Sequence, residues 1–251
     1  MPLIGHTPDA ARATRRAVVV DGDTYWRSEW LDGGRDPLHS PTVFLVEQSP
    51  GVSLRTHFHR NNQFQVVVRG DGRIGPHPLR AGAIHYAGAY SGYGPIVAGA
   101  DGIAYFTIRA VYETGSLTMN EHRDAMRRGP KRQLYGRPMT PLADETLALL
   151  CDSACDSAIA AQPDGVEARV HRLRPQDRLD GLIAPTGSAG LFGLLLAGAV
   201  SVEGQELTRW QSLYVAPGEP APAVTAGSAG AQIACLTIAP LPLNYRQPAP
   251  A

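Results

Sequence analysis

Two histidines, His57 and His59, form the most chemically informative pair in the sequence. Residues two apart in a β-strand point to the same face, so both imidazoles would lie on one surface, about 7 Å apart. Neutral imidazole is a common ligand of metal ions, and two on one face can converge on one ion. Gln63 and Gln65, again two apart, are the nearest polar side chains that could complete such a site.

Amide, guanidinium and hydroxyl groups accompany this pair. The amide side chains beside the pair are predicted to bind a neutral or anionic organic substrate, and they are Asn61, Asn62, Gln63 and Gln65. Arg55 and Arg69 are the candidates for anchoring a carboxylate, but strand parity does not place them. The alternative for the amides is a polar turn beside a solvent-facing strand edge. Tyrosine hydroxyls in the stretch AIHYAGAYSGYGP are predicted to bind a substrate oxygen, to bind a metal or to transfer a proton, with packing at a barrel rim as the alternative. These residues are Tyr86, Tyr90 and Tyr93.

The composition argues against several classes of function. The 251 residues include 23 basic and 23 acidic side chains, and this balance gives no basic footprint for nucleic acid. It also argues against a polybasic membrane anchor, and no apolar run approaches the roughly 18 residues of a membrane-spanning helix. Three cysteines do not make a disulfide framework. No signal peptide is expected, and we predict a soluble, cytoplasmic protein.

The elements that position these residues are predicted to be short β-strands. Apolar runs such as residues 42–47 and 64–69 alternate with Gly, Pro, Asp and Asn. The 27 glycines and 21 prolines disfavour a helical bundle. This pattern predicts an all-β sandwich or barrel with few helices. Residues 141–160 could hold a helix, although part of that segment fits a strand equally well.

One internal repeat divides the chain. Gly70 and Gly198 each close an apolar run, 128 positions apart, and the stretches LRAGAIHY and LTRWQSLY have the same separation. Further along, FTIRA is matched with CLTIA. We therefore predict two β modules and three connecting segments. They are an N-terminal arm at 1–16, a first barrel at 17–115, a linker at 116–162, a second barrel at 163–242 and a tail at 243–251.

Four residues around the histidine pair fall on the positions of the first cupin motif, which is a glycine, a His-x-His pair, a glutamate and a second glycine. They are Gly51, His57, His59 and Gly70, and Gln63 stands at the glutamate position. The chain thus resembles the cupin family over nearly its whole length. The resemblance implies two barrels of the double-stranded β-helix, or jelly-roll, type in tandem. It also implies that His57, His59 and Gln63 bind one divalent transition metal, either Fe, Mn, Ni or Zn.

The second cupin motif is incomplete in the first module. Its histidine is expected near residues 91–93, where none is present. Tyr90, Tyr93, His85 or water are the candidates for that place, and Tyr93 lies nearest to it. In the second module WQSLYVAPGEP resembles the same run, but the metal positions fall on residues that cannot bind a metal through their side chains. These are Pro185, Gly187 and Leu191. The resemblance therefore implies a partial site in the first barrel and none in the second.

Two functions remain open from the sequence. The first is a metalloenzyme acting on a small oxygenated organic molecule, by isomerase, lyase, cyclase or dioxygenase chemistry. His57 and His59 would hold the metal, Gln63 would complete the site, and Tyr93 or Tyr90 would transfer a proton. Substrate contacts would come from Gln65, Asn62, Arg55 and Tyr86. The alternative is a non-catalytic small-molecule-binding protein with a decayed metal site. The resemblance implies a homodimer in either case.

Overall fold

The computed structural model describes residues 1–20, 22–242 and Tyr245. Among residues 1–20 and 22–242, two short α-helices, α1 (Pro8–Ala13) and α2 (Asp144–Ala148), and one 3-10 helix (Arg123–Ala125) interrupt the strands and loops. The strands of the first half are β1 (Leu3–Ile4), β2 (Arg16–Val20), β3 (Asp23–Asp32), β4 (Thr42–Gln48), β5 (Ser53–Leu54), β6 (His57–Phe58), β7 (Gln63–Ile74), β8 (His77–Arg80), β9 (Ile84–Ala87), β10 (Ile96–Arg109), β11 (Leu117–Thr118) and β12 (Gln133–Tyr135). Those of the second half are β13 (Ala154–Ile159), β14 (Glu167–Leu173), β15 (Arg178–Leu179), β16 (Leu191–Val202), β17 (Gln205–Thr208), β18 (Ser212–Val215) and β19 (Val224–Thr237).

Antiparallel pairing organises these strands into two large sheets. The first has the order β12-β9-β7-β10-β4-β3-β2, with β5 on β10 and β8 on β7, and β6 pairs separately with β11. The second has the order β1-β18-β16-β19-β14-β13, with β15 on β19 and β17 on β16. Each sheet curls around its own apolar interior. The predicted all-β fold with two barrels in tandem is confirmed.

The long central strands bury both of their faces. On β7, Val67 faces the interior of the first barrel, whereas Phe64 and Val66 enter a second core that also contains Phe192 and Leu194 of β16. Side chains alternate across a strand, so a strand covered on both sides must be apolar at nearly every position. This explains the continuous apolar runs of the sequence. It also means that the two barrels share one core.

The internal repeat is a repeat of structure. Strands β7 to β10 and β16 to β19 correspond one to one, because Gln63 and Leu191, the first residues of β7 and β16, are 128 positions apart and the later strands keep this separation. Gly70 and Gly198 have φ angles of 71° and 73°. A Cβ atom at either would overlap the carbonyl of Gly102 or Gly230, so only glycine fits these bends. The same separation corrects one sequence match, because FTIRA corresponds to ACLTI.

The segments outside the predicted barrels also carry strands. Within residues 116–162, β12 pairs with β9 of the first sheet and β13 pairs with β14 of the second. This segment contains both a helix, α2, and a strand, β13, which are the two alternatives left open for residues 141–160. In the predicted arm, β1 pairs with β18. The domain limits stay predictions, and of the predicted tail at 243–251 only Tyr245 belongs to the described residues. No helix among the described residues has the length and apolar character needed to cross a membrane.

Candidate functional site

The candidate site lies inside the first barrel, where β6, β7 and β10 approach one another. His57 on β6 forms an isolated bridge with Tyr93, and the backbone N–H groups of the two residues donate to each other's carbonyls at 3.1 and 3.0 Å. Gln63 begins β7, and Arg109 ends β10 on the neighbouring strand. All four side chains point inward and are nearly or fully buried. The fold thus gathers residues that are up to 52 positions apart along the chain.

A cavity of about 60 Å³ opens beside these side chains. Its wall includes His57, His59, Tyr93 and Arg109, together with apolar residues of β4 and β5. Gln63 lies behind the wall and is 1 % exposed. A space of this size holds roughly four to six water-sized groups. The cavity therefore suits a small molecule.

A directional chain of hydrogen bonds links the inward side chains. The Arg109 Nε and Nη2 groups donate to Gln63 Oε1 at 3.0 and 2.9 Å. Gln63 Nε2 donates to the Tyr93 hydroxyl oxygen at 2.6 Å. The same oxygen lies 2.9 Å from His57 Nε2. His57 Nδ1 lies 2.7 Å from the Arg55 carbonyl. Because Nδ1 must donate to this carbonyl, neutral His57 offers its Nε2 lone pair to Tyr93.

His59 stands between a cation and an anion. Its Nδ1 lies 3.1 Å from the carbonyl of Gly115 and 3.6 Å from Glu113 Oε1. Arg109 Nη2 lies 3.0 Å from this Nδ1 and 3.1 Å from Nε2 of the same ring. Glu113 also accepts the backbone N–H of Arg60 at 2.8 Å. Burial alone would raise the pKa of Glu113, but the His59 ring and the charge of Arg109 outweigh burial and lower this pKa to about 2. Glu113 is therefore an ionised carboxylate beside His59.

Burial keeps both histidines neutral. It is the main cause that lowers the pKa of His57 to about 3, and the neighbouring His59 lowers it further. Burial and then the charge of Arg109 lower the pKa of His59. Burial raises the pKa of Tyr93, so its hydroxyl keeps its proton. Burial also lowers the pKa of Arg109, yet a guanidinium remains protonated in proteins. Arg109 is thus the fixed positive charge of the site.

These residues, as arranged, do not fit the predicted divalent metal ion. Gln63 Oε1 already accepts two Arg109 N–H groups, and the free lone pair of His57 already accepts the Tyr93 proton. An ion bound to these atoms would lie about 4 Å from the Arg109 charge, with a repulsion of roughly 8 kcal/mol at an effective dielectric constant near 20. Among the described residues, no group of three or more His, Cys, Asp or Glu side chains is placed to hold a metal.

The structure brings some of the other predicted residues to the cavity. Gln65 and Arg55 lie in its wall. Gln65 Oε1 also lies 2.8 Å from Nδ1 of His85, which had been one candidate for the missing metal position. The His85 ring stacks at 4.8 Å on Tyr135 and makes no contact with His57 or His59 within hydrogen-bond distance among the described residues.

Three predicted residues lie elsewhere, which corrects their placement at the site. The Asn62 amide donates to the carbonyls of Ala239 and Pro240 at 2.9 and 3.2 Å, so it joins the first barrel to the end of the second. Tyr86 stacks at 5.0 Å on Phe64, in the core shared by the barrels. Tyr90 has a φ of 57°, which turns its side chain away from Tyr93 and into a separate apolar cluster.

Sequence reasoning missed Arg109, the residue at the centre of the site. The sequence signal that could have identified Arg109 is its place in the alternation of side chains along β10. On β10 the interior of the barrel receives Ile103 and Tyr105, and Thr107 and Arg109 continue the same alternation into the cavity wall. A charged residue on the inward face of a buried strand is rare unless it has a partner. Glu113, which follows shortly after, was missed because it lies in a loop without periodicity.

Comparisons with known proteins find likeness of structure only. No model of a known protein family and no curated protein sequence matches the chain. Among solved structures, a putative dioxygenase from Nostoc punctiforme has a TM-score of 0.59 at 11% identity, with 97% of this chain and 80% of that chain covered. A pirin from Escherichia coli in complex with nickel(II) has a TM-score of 0.56 at 12% identity, with 96% and 100% covered. An oxalate decarboxylase from Lactobacillus farciminis has a TM-score of 0.55 at 9% identity, with 91% and 85% covered.

These neighbours are cupin-type proteins, and their identities are all far below the level at which function transfers. The likeness shows that the chain has a cupin-type fold. Such a fold hosts many unrelated activities, so function has to be argued from the site itself.

Proposed function

We propose that the first barrel binds a small oxygenated organic molecule and does so without a metal ion. The observation that carries this proposal is the hydrogen-bond chain from Arg109 through Gln63 and Tyr93 to His57. The groups that would hold a metal in the resembling family are joined to one another here, and a guanidinium supplies the positive charge. This corresponds to the small-molecule-binding alternative of the sequence analysis.

The shape of the cavity supports the same function. Buried polar networks lower stability unless every member is satisfied, and a barrel that only needed stability would fill its interior with apolar side chains. The first barrel instead keeps a cavity beside a fixed cation. Small-molecule sites have this character, with apolar walls and a few convergent polar groups.

A second candidate function is acid–base catalysis in the same cavity. It is favoured by one contact, the 2.9 Å hydrogen bond between the Tyr93 hydroxyl and the neutral His57 ring, because both groups line the cavity wall. A substrate proton taken up by Tyr93 and His57 acting together would serve an isomerase or lyase reaction. In such an enzyme Tyr93→Phe abolishes turnover and retains ligand binding.

The test of the proposed function combines metal analysis with ligand screening. Protein purified without a histidine tag is measured by elemental analysis, before and after dialysis against Fe, Mn, Ni or Zn salts. A panel of small organic acids, amides, alcohols and ketones is then screened by thermal shift. We expect no stoichiometric metal and a raised melting temperature with at least one compound. Stoichiometric metal lost in His57→Ala, or a panel without any effect, contradicts the proposal.

A matched variant shows whether a stabilising compound binds in this cavity. Thr107 lies in the cavity wall on β10, and its counterpart 128 positions later is Cys235, in the interior of the second barrel. Thr107→Leu fills the first cavity and is expected to abolish the shift. Cys235→Leu is the control and is expected to retain it.

A further inference from the structure

We propose that the ligand of the first barrel is a small monocarboxylate and that Arg109 binds its carboxylate group. This inference rests on the proposed function, because it names the class of molecule that the same cavity takes. The argument starts from the surroundings of Arg109. Its side chain is 2 % exposed, and the atoms within hydrogen-bond distance belong to the Gln63 amide and the neutral His59 ring. Arginine is almost never fully buried without an anionic partner.

Arg109 has donors to spare. A guanidinium carries five N–H groups, of which those on Nε and Nη2 face Gln63 and His59. The two on Nη1 have no hydrogen-bond acceptor among residues 1–20, 22–242 and Tyr245, although Arg109 lies in the cavity wall. An anionic oxygen in the cavity can accept one of these two N–H groups, and its charge makes this hydrogen bond stronger than one to a neutral acceptor.

Hydroxyl groups surround the same space. Tyr25, Tyr105 and Thr107 line the cavity, and none of their hydroxyls is hydrogen-bonded within the described part of the chain. Burial raises the pKa of Tyr25 and of Tyr105, so both hydroxyls remain donors. A wall with unpaired N–H and O–H donors and neutral histidines favours a ligand rich in acceptors. A carboxylate with one further oxygen has this character.

The charged side chains of the wall have the same sign in the described part of the chain. Among residues 1–20 and 22–242 the wall includes Arg27, Arg55 and Arg109 and no aspartate or glutamate. Arg27 is already neutralised, because its Nε and Nη2 groups donate to Glu29 at 2.9 and 3.1 Å. Glu113 reduces the field of Arg109 from behind His59 but does not touch the guanidinium. Arg55 is exposed, so Arg109 is the buried cation that a ligand inside the cavity meets.

The volume of the cavity favours a ligand with few atoms. A cavity of about 60 Å³ accommodates roughly four to six non-hydrogen atoms, since one water-sized sphere needs about 10–15 Å³. Acetate, glycolate and pyruvate fall within this limit. Dicarboxylates larger than oxalate and aromatic acids would extend out of it.

The experiment compares each acid with its neutral amide on the full-length protein. Acetate, glycolate and pyruvate are titrated by calorimetry in carboxylate-free buffer of low ionic strength, beside acetamide, glycolamide and pyruvamide. We expect at least one acid to bind about tenfold or more tighter than its amide, because a charged pair replaces a neutral hydrogen bond. Arg109→Gln is expected to lose at least this factor. Arg69→Gln, which removes an exposed arginine of the same barrel, is the control.

Each outcome decides one point. Equal affinity for acid and amide, within about twofold, overturns the carboxylate assignment but leaves the proposed function in place, since the cavity then binds the neutral group. If none of the six compounds binds and no compound of the wider thermal-shift panel raises the melting temperature, the carboxylate assignment and the proposed function are both overturned. If Arg109→Gln does not fold, as judged by circular dichroism, the comparison of acid with amide in the unaltered protein still decides.

Discussion

The two barrels share one strand plan and differ in what fills them. Where the first barrel places polar side chains on its inner strands, the second places small or apolar ones at positions 128 further along. Gln63 corresponds to Leu191, His85 to Leu213, Thr107 to Cys235 and Arg109 to Thr237. Ahead of these strands the separation is 125, as between β5 and β15, so His57 and His59 correspond to Leu182 and Ala184.

This correspondence revises the earlier alignment, in which Pro185 and Gly187 stood at the histidine positions. Leu182, Ala184, Leu191 and Leu213 all belong to the apolar interior of the second barrel. The comparison teaches that the fold needs no polar interior to be stable. Polar side chains in the first barrel are therefore best explained by binding.

The largest expected effect concerns the apolar core that the two barrels share. Phe106 lies in the shared core, where its ring is 5.4 Å from Trp30 and 6.1 Å from Trp210. Phe106→Ala is expected to lower the free energy of unfolding by about 3–5 kcal/mol. Urea unfolding followed by tryptophan fluorescence measures this, and both barrels should unfold in one transition. Two separate transitions in the unaltered protein would contradict a common core.

Acid should destabilise the first barrel through its neutral histidines. Burial lowers the pKa of His57 to about 3 and that of His85 to about 4, from an ordinary value of 6.5. Below pH 6.5 these histidines bind protons in the unfolded chain but remain neutral in the folded chain. The free energy of unfolding therefore falls as the pH falls. At pH 5 each of these histidines should have lowered the free energy of unfolding by about 2 kcal/mol.

Urea unfolding at pH 7, 6 and 5 measures this loss. His85→Gln should reduce the slope with pH, whereas His77→Asn, at an exposed histidine of the same barrel, should leave it unchanged. Glu113 acts in the same direction below its ordinary pKa of 4.5, because its pKa in the folded chain is lowered to about 2. A stability that is constant between pH 7 and 5 would contradict neutral burial.

Glycine substitutions test whether the bends at Gly70 and Gly198 contribute equally to the stability of the two barrels. Gly70→Ala and Gly198→Ala each place a Cβ atom against a carbonyl at a positive φ. Each is expected to lower the free energy of unfolding by about 1–3 kcal/mol, and the two losses should agree. Gly204→Ala is the control, because its φ is 83° but nothing lies near the added atom. A loss at Gly204 as large as at Gly70 would show that overlap with the carbonyl contributes nothing.

The smallest effect is expected when the glutamate of the cupin motif is restored at position 63. Gln63→Glu supplies the carboxylate of the cupin motif, but it should pair with Arg109 and leave the metal content near zero. The double variant Gln63→Glu with Arg109→Met removes the cation and should bind nickel or zinc measurably, by elemental analysis after dialysis. Equal metal in the single and double variants would mean that Arg109 does not keep metal out.

The sequence predicted the fold because strand spacing, turn residues and the repeat all agree. It also brought His57, His59, Gln63 and Tyr93 together correctly, since local alternation and the motif spacing define their positions. Arg109 could not be placed in the same way. It reaches Gln63 across a sheet in which β7 and β10 slip register near Ala104, and such a bulge leaves no sequence signal. Tyr86 and Tyr90 were misplaced because strand parity and a positive φ are not visible in composition.

The Asn62 side chain links the end of the second barrel to a loop of the first. Besides the two carbonyls beyond β19, its Oδ1 accepts the backbone N–H of Ala89 at 2.8 Å, at the start of the loop that carries Tyr93. The segment that follows β19 of the second barrel thus holds the loop that carries Tyr93 in place. The barrel without a polar interior therefore supports the other one. Deleting the second copy would therefore also remove the ordering of the ligand site.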